Sequence, residues 1–241
     1  MATYVCSDLH GLKNRYDRMI QQIKQEDTLY ILGDVIDRGP HGIKILWDVM
    51  HRDNVIMLLG NHELMMKEYY EVMLHPQQSV LERDVIINRW TRNHCEPTIA
   101  EFEAMDKASQ REILNYLSSL IVAVCDLRVH QECFYLTHAY PQRTVKEGII
   151  YQKTVKTYGL ELRDFVWERF QKPMEFFNDR TVIVGHTPTM YVQSCLPYEI
   201  WTAGKPLDET RLINIDCGCA LNNEATRMGL LRLDDRKVFY F

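Results

Sequence analysis

Residues 32–40 read LGDVIDRGP, and this stretch decides how the first part of the chain folds. Apolar residues 29–32 lead into it and predict a buried strand, while its two glycines permit a tight turn and close backbone approach. Between the glycines lie two carboxylates, Asp34 and Asp37, and the guanidinium of Arg38. Loops that leave core strands commonly carry functional groups, although a solvated turn with an Asp–Arg ion pair would have the same sequence.

The first third of the chain repeats one unit three times: an apolar strand, a polar loop and an amphipathic helix. The predicted strands cover residues 4–6, 29–32 and 55–59. This alternation is typical of parallel βαβ units, in which ligands bind where the loops leave the carboxyl ends of the strands. We therefore expect one sheet edge to collect the polar side chains of these loops, namely Asp8, His10, Asp34, Asp37, Arg38, Asn61 and His62.

The remainder of the chain is richer in strands. Residues of about 80–120 have helical spacing with a break at Pro97, which predicts a helical insert. Further strands are predicted over 121–129, 133–137, 181–184 and 212–216, with a terminal hairpin over 228–241, and the stretch 142–164 is expected to be loop and short helix. The sequence predicts a single α/β domain over residues 1–241, with two sheets stacked face to face and helices outside.

Composition and charge narrow the classes of function. The 241 residues carry a formal net charge of −5, which gives no reason to expect broad nucleic-acid binding. No signal peptide and no apolar run of membrane-spanning length is found, so we expect a cytoplasmic protein without membrane partners. The seven cysteines are scattered, and the one close pair, Cys217 and Cys219, lacks the second pair of a zinc finger. Oligomeric state is not encoded in any recognisable pattern.

The polar strand ends have the composition of a metal site. Carboxylate, amide and imidazole ligands suit manganese, iron(II) or zinc. In an extended segment Asp8 and His10 would share a side and could bind one ion, and Asp34 could bridge it to a second. The groups available to complete that second site are Asn61, His138 and His186.

Other interpretations of the same residues are open. A single Asp or His at a strand end is more often a turn or cap residue than a ligand, and Asn61 could simply cap the helix that follows it. The remaining histidines do not follow strong strands and are interpreted as ordinary polar residues: His41, His51, His75, His94 and His130.

Two metals at such an edge would suit displacement at phosphorus. A metal-bridging water or hydroxide would be the in-line nucleophile, since a bound metal can lower the pKa of water to about 7. His62 is the natural proton donor to the leaving oxygen, Asp37 could orient its imidazole, and Arg38 could bind phosphate oxygens through its planar fork.

The motifs in this order resemble the calcineurin-like metallophosphoesterases. The resemblance covers nearly the whole chain and is closest to the phosphoprotein phosphatase branch, in particular the bacterial and bacteriophage lambda-type serine/threonine phosphatases. The segments that carry it are DLHG (residues 8–11), GDVIDRG (33–39), GNHE (60–63), His138 and GHT (185–187).

The resemblance implies a four-layer αββα sandwich with two divalent metal ions, commonly Mn²⁺, with Fe²⁺ or Zn²⁺ as alternatives. One ion would be held by Asp8, His10 and Asp34, and the other by Asp34, Asn61, His138 and His186. His62 paired with Asp37 resembles the family's general acid, and Arg38 its phosphate-binding arginine. Residues 165–169, FVWER, resemble the lambda-type Trp-x-Arg segment, which makes Arg169 the candidate second phosphate-binding arginine.

The sequence also departs from the family pattern. Leu59 precedes Gly60 where many relatives have arginine, and residues 93–95 read NHC where bacterial relatives often have NGG after a tryptophan that Trp90 matches. Cys217 replaces a threonine. These departures leave the expected metal ligands intact and concern substrate recognition.

Three functions follow as hypotheses. The first is a phosphatase acting on phosphoserine or phosphothreonine in proteins, with a phosphoprotein or small phosphorylated molecule as substrate. The second is a symmetrical diadenosine tetraphosphate hydrolase, which shares most motifs but tends to have Ala-Arg where this chain has Asp37-Arg38. The third is a non-catalytic scaffold of the same fold, which the complete ligand set disfavours.

Overall fold

A computed structural model describes residues 1–74, 79–169, 176–192, 198–223 and 225–241. His75 and Cys195, which the sequence analysis considered, lie outside these residues. The six cysteines within them are free and buried, as expected for small apolar side chains in a reduced protein. None of the helices in the described ranges is both long enough and apolar enough to cross a bilayer.

The first sheet contains the predicted βαβ repeat. Its five strands are β1 (Thr3–Cys6), β2 (Thr28–Ile31), β3 (Val55–Met57), β9 (Gly229–Arg232) and β10 (Lys237–Tyr240), in the spatial order β10–β9–β1–β2–β3. The pairs β1–β2 and β2–β3 are parallel, while β9 and β10 form the predicted terminal hairpin. The helices that follow the three parallel strands are α1 (Lys13–Ile20), α2 (Gly42–Met50) and α3 (Asn61–Leu74).

The second sheet also has five strands. They are β4 (Ile121–Val129), β5 (Glu132–Thr137), β6 (Ile149–Tyr151), β7 (Thr181–Val184) and β8 (Leu212–Asn214), in the spatial order β6–β4–β5–β7–β8. β4 and β5 form an antiparallel hairpin, whereas β5, β7 and β8 are parallel. The predicted strands of this half are confirmed, although β6 lies in a stretch that we expected to be loop and short helix.

A layer of apolar side chains joins the two sheets. Residues from both, including Leu32, Leu136 and Ile213, form one buried cluster, and a separate cluster packs the helices against the outer faces. This arrangement arises because alternate strand residues point to opposite faces and both faces are covered. The predicted α/β class, with two stacked mixed sheets flanked by helices, is confirmed.

The stretch of about 80–120 forms three helices, α4 (Val80–Thr91), α5 (Glu96–Glu103) and α6 (Lys107–Ser119). Pro97 lies in the first turn of α5, where its missing N–H is not needed, so the predicted break is the start of a helix. The short helix α7 (Leu162–Val166) ends just before Trp167. Arg169 therefore lies beyond the helix.

Strand register places the loops that matter at one edge. In the first sheet Cys6 is level with Ile31, which is level with Met57. In the second sheet Leu136 is level with Ile183. Because these strands are parallel, their carboxyl ends coincide, and the polar residues that follow each of them meet at the same edge.

Candidate dinuclear metal site

The loops at this edge adopt an unusual backbone conformation. Six of its residues have positive φ, which non-glycine residues rarely adopt: Asp8 (56°), His10 (44°), Asp34 (54°), Asp37 (67°), Arg38 (68°) and His186 (64°). The expectation that the segment of Asp8 and His10 is extended is therefore wrong, although their side chains do lie on the same side. Left-handed turns bring their side chains together, and such strained conformations are concentrated at functional sites.

Two glycines are required by this crowding. Gly33 has φ of 105°, and a Cβ there would lie 2.6 Å from the backbone nitrogen of Gly60. At Gly60 a Cβ would collide with the backbone nitrogen and carboxylate of Asp34. The close approach that the sequence analysis expected at Gly33 is confirmed, and its partner is the loop that carries Asn61.

The first group of donors lies between β1 and β2. The Nε2 atom of His10 is 3.7 Å from Oδ1 of Asp8 and 3.7 Å from Oδ2 of Asp34. Asp8 uses its other oxygen to accept hydrogen bonds from the Ser7 hydroxyl (2.5 Å) and the His186 backbone N–H (2.9 Å). One carboxylate oxygen of Asp8 thus faces His10 while the other anchors the loop.

The second group lies between Asp34 and the second sheet. The Oδ1 atom of Asn61 is 2.9 Å from Nε2 of His138 and 2.8 Å from Nδ1 of His186. Oδ2 of Asp34 is 3.4 Å from the same His138 nitrogen. Asn61 therefore does more than cap its helix, because its side-chain oxygen faces two imidazoles.

Main-chain carbonyls orient the three histidines of these groups. His10 Nδ1 lies 3.1 Å from the Ile36 carbonyl, and His138 Nδ1 lies 2.8 Å from the Leu32 carbonyl. His186 uses Nε2, which is 3.2 Å from the Trp167 carbonyl. Since a carbonyl only accepts, each of these nitrogens carries a proton, and the other nitrogen of each ring faces the site, where it can bind a metal ion when it is unprotonated.

The buried carboxylates of the site show whether its charge suits metal ions. Asp8, Asp34, Glu63 and Asp216 are all almost fully buried, and burial together with the neighbouring carboxylate charge raises the pKa of Asp8 and of Asp216. Carboxylates gathered in the interior are costly unless cations neutralise them. Oxygen and imidazole donors without thiolate match manganese, iron or zinc, so the residues present fit divalent cations.

The histidines differ in protonation. Burial and the charge of Arg38 hold the pKa of His10 well below its usual value, while burial and the charge of His138 lower the pKa of His186 to about 3. Burial also acts to lower the pKa of His138, but the charge of Asp34 outweighs it and raises this pKa to about 9. Of the three, only His138 carries a second proton at pH 7, on the nitrogen that faces the site, and a metal ion would have to displace that proton.

His62 and Asp37 form a buried pair beside the donor groups. Nδ1 of His62 lies 2.6 Å from Oδ2 of Asp37, and the indole N–H of Trp90 donates to the same oxygen over 2.7 Å. Asp37 has no exposed surface, so its carboxylate is not solvated. Among the described residues its ion-pair partner is His62 and not Arg38. Burial lowers the pKa of His62, but the charge of Asp34 and the bond to Asp37 outweigh burial and raise it.

His62 also lies close enough to His10 and Asp34 to be a metal ligand. Single donor atoms of His10, Asp34 and His62 all lie within 4.8 Å of one another, as do those of Asp34, His138 and His186. The separation of His62 Nε2 from Asp34 Oδ2 is 3.9 Å.

Arg38 lies across the mouth of the site. Its guanidinium is 3.0 Å from Nε2 of His10 and 3.3 Å from Nε2 of His62. A guanidinium only donates, so in this position it occupies the lone pair that His10 would offer to a metal. An ion bound by His10 therefore requires this exposed side chain to turn outward, toward the cavity.

A cavity of about 890 Å³ opens directly onto the donor groups. His10, Asp34, Asn61 and His186 line its floor, and three arginines line its walls: Arg38, Arg92 and Arg169. Within the described ranges none of these arginines has a carboxylate within 4.0 Å. The cavity can accept an anion, and Arg169, the candidate second phosphate-binding arginine, is one of its lining residues.

The helical insert contributes groups that the sequence did not reveal. Arg92 and His94 line the cavity, although His94 had been interpreted as an ordinary polar residue. The His94 carbonyl accepts a hydrogen bond from the Arg38 N–H (2.9 Å), and the Thr98 hydroxyl accepts one from the Asp37 N–H (2.9 Å). Nothing in the sequence predicts the hydrogen bond from Trp90 to Asp37, because Trp90 stands out there only as a match to relatives.

Glu63 contributes to the site in a way that the sequence does not predict. Its buried carboxylate accepts hydrogen bonds from the backbone N–H groups of Asp34 (2.8 Å), Val35 (2.8 Å) and Gly60 (3.1 Å). These bonds tie the loop after β2 to the start of α3. The carboxylate therefore fixes the two loops that carry Asp34 and Asn61 relative to one another.

Similarity to known proteins agrees with this geometry. A symmetrical bis(5'-nucleosyl)-tetraphosphatase from Chromobacterium violaceum is 37% identical over 68 residues, which cover 27% of this chain and 24% of that relative. A solved structure provisionally named a diadenosine tetraphosphatase has a TM-score of 0.57 at 14% identity, covering 99% of this chain and 92% of its own. A serine/threonine phosphatase from Saccharomyces cerevisiae has a TM-score of 0.57 at 11% identity, covering 100% and 79%.

At these identities the two structures show likeness of fold alone, and the matched stretch spans about a quarter of the curated relative's length. The family model for calcineurin-like phosphoesterases matches residues 1–212, which include every donor described above. The chain therefore belongs to the calcineurin-like phosphoesterase family.

Proposed function

We propose that this protein is a dimetal-dependent phosphomonoesterase that hydrolyses phosphoserine and phosphothreonine in proteins. The observation that carries the proposal is the His62–Asp37 pair, with its 2.6 Å contact and complete burial. Departure of a serine or threonine alkoxide requires a proton, because the free alkoxide is a very poor leaving group. Departure of a nucleotide from a dinucleotide polyphosphate does not, because a phosphate anion leaves without one.

Members of this family use dinuclear metal sites, and the metal ions would polarise the phosphoryl group and supply the nucleophilic oxygen. Asp8, His10 and Asp34 would hold one ion, and Asp34, Asn61, His138 and His186 the other. Manganese is the first expectation, and the donors suit iron(II) or zinc as well.

The chain's own groups would then act on the substrate. His62 gives the proton on Nε2 to the leaving oxygen, while Asp37 holds Nδ1 and stabilises the charged imidazolium. Arg38, turned outward, and Arg169 donate to the phosphoryl oxygens. Arg169→Ala is expected to raise KM about tenfold with unchanged metal content, and unchanged kinetics would remove Arg169 from the site.

A second candidate function is symmetrical hydrolysis of diadenosine tetraphosphate. The curated relatives that match parts of the chain carry that name, and the arginine-lined cavity suits a polyphosphate. Asp37 stands against it, since the resemblance implies alanine at that position in such hydrolases. A non-catalytic scaffold is disfavoured, because every expected ligand is present and four of the six, His10, Asp34, Asn61 and His186, line the same cavity.

The test is to offer three substrates side by side with Mn²⁺: a phosphoserine peptide, p-nitrophenyl phosphate and diadenosine tetraphosphate. We expect phosphate release from the first two, with little nucleotide formed from the third. Exclusive conversion of the dinucleotide to ADP would reject the proposal in favour of the hydrolase. Absence of turnover and of bound transition metal would favour the scaffold.

A further inference from the structure

A second groove extends from the catalytic cavity. It has a volume of about 680 Å³ and lies between α4 and the end of α7. Arg92, Asn93 and Trp167 line both this groove and the catalytic cavity. The two spaces therefore adjoin, so a long substrate with its phosphate among the metal ligands would reach the groove.

One wall of the groove is apolar and exposed. Leu81 is 75% exposed and Val85 is 57% exposed, and their spacing of four places them on one face of α4. The indole of Trp167 lines the same groove. Large apolar side chains this exposed and adjacent to one another are characteristic of a surface that binds a partner.

The charge of the groove is opposite to that of the chain. The protein carries a formal net charge of −5, yet the groove is lined by three arginines, Arg89, Arg92 and Arg163, against one carboxylate, Asp84. Arg89 is paired with Glu68, whereas Arg92 and Arg163 have no carboxylate within 4.0 Å in the part of the chain that the structure describes.

An adjoining recess of about 300 Å³ shares Arg89 and Arg163 with the groove and adds Lys153 and Lys156 to its lining. Two carboxylates, Glu68 and Glu161, oppose these four basic groups, and Glu68 is already paired with Arg89. Positive charge therefore continues away from the catalytic cavity. Such a path attracts acidic groups and repels basic ones.

We propose that this groove binds the segment of the substrate protein that flanks the phosphorylated residue, and that it selects segments combining acidic residues with a large apolar side chain. The inference rests on the proposed phosphoprotein phosphatase function. The apolar side chain would pack on Leu81 and Val85, and the acidic groups would pair with Arg92 and Arg163. The groove is concave and shares its lining with the catalytic cavity, which favours a peptide over a flat membrane surface.

The experiment compares three phosphoserine peptides that differ only in their flanks: aspartates with one leucine, uncharged polar residues, or lysines with one leucine. In the wild-type protein we expect kcat/KM to be highest for the acidic peptide, by about tenfold over the neutral one. Arg163→Glu should lower kcat/KM for the acidic peptide about fivefold. Val85→Ser should lower it for both leucine-containing peptides by about threefold.

The matched control is Arg128→Glu, which reverses an exposed arginine on β4 away from the groove. It should leave all peptides unaffected, and neither groove variant should change kcat/KM for p-nitrophenyl phosphate, which is too small to reach the groove. Raised ionic strength should reduce the preference for acidic flanks.

Equal kcat/KM for the three peptides, or equal losses on peptides and p-nitrophenyl phosphate, would overturn the inference while leaving the phosphatase proposal standing. Binding to anionic phospholipid vesicles that Arg163→Glu abolishes, with no flank preference, would assign the groove to a membrane and also overturn it. Failure to hydrolyse any phosphopeptide would instead reject the proposed function itself.

Discussion

The site is built from two regions that differ in how they are made. The strand-end region comes from loops that leave parallel β-strands, and it contains Asp8, Asp34, Asn61, His138 and His186. The insert region comes from α4 and α5 and contains Trp90, Arg92 and Thr98, which contact Asp37 or line the cavity. The first gathers the candidate metal donors, whereas the second contacts Asp37 of the proposed acid pair and lines the cavity.

The two regions position different groups of the site. The strand-end loops are fixed by register and by the buried carboxylate of Glu63, so their donors are held before any ligand arrives. Asp37 belongs to a strand-end loop but takes its orientation from the insert. Its Oδ2 atom is shared by His62 and Trp90, while its Oδ1 atom has no hydrogen-bond partner within the described residues. We therefore expect changes in the two regions to have separable effects.

The largest effect is expected from Asp34→Asn, which removes the carboxylate common to both donor groups. Activity should fall by more than about 1000-fold, because losing both ions exceeds the loss of a single electrostatic contact. Bound metal, measured by mass spectrometry after gel filtration, should fall with it. Asp53→Asn, at an exposed acid, is the control. Retention of both ions would separate Asp34 from the metal site.

His62→Asn should lower kcat on a phosphoserine peptide by about 100- to 10,000-fold, the usual contribution of a general acid. The loss should be much smaller on p-nitrophenyl phosphate, because its leaving group needs no proton. Metal content should be unchanged. A variant that loses metal would make His62 a ligand and would erase the distinction between the two regions.

Trp90→Phe tests whether the insert acts through Asp37. Removing one hydrogen bond to a buried carboxylate should lower kcat about tenfold and leave metal content unchanged. The same change should cost little more when Asp37→Asn is already present, because the two residues act through one contact. Trp47→Phe, at a half-buried tryptophan of α2, should have no effect on kcat. Additive losses would mean that Trp90 acts only through folding.

The smallest effect concerns pH. The pKa of His62 is raised in the folded protein, so the protonated form that donates is present at low pH and is lost as pH rises through that pKa. The alkaline limb of the kcat profile on an alkyl phosphate should therefore report His62. Asp37→Asn removes a carboxylate that raises this pKa, so the limb should move to lower pH by about one unit. A limb that moves upward or stays in place would assign it to another group.

The strand-end region could largely be predicted from the sequence. Apolar runs identified the strands, and the parallel βαβ rule then required Asp8, Asp34 and Asn61 to meet at one edge. The local geometry could not be predicted in the same way. The left-handed backbone of Asp8 and His10 depends on contacts between neighbouring loops, and no pattern in residues 7–11 predicts it.

The insert region escaped prediction for a physical reason. Helical periodicity located α4 and α5. Periodicity indicates which face of a helix is buried, but it does not indicate which residues pack against that face. The contacts of Trp90 and Thr98 with Asp37 span 53 and 61 residues of sequence. Such contacts are tertiary, so only the packed fold reveals them.

The most direct test of this division is a crystal structure of the protein grown with Mn²⁺ and phosphate, with anomalous scattering recorded at the manganese edge. We expect two peaks about 3.5–4 Å apart, one among Asp8, His10 and Asp34 and the other among Asp34, Asn61, His138 and His186. Arg38 should be turned toward the phosphate, and His62 should keep its bond to Asp37. A manganese ion bound by His62, or a single peak, would contradict the account.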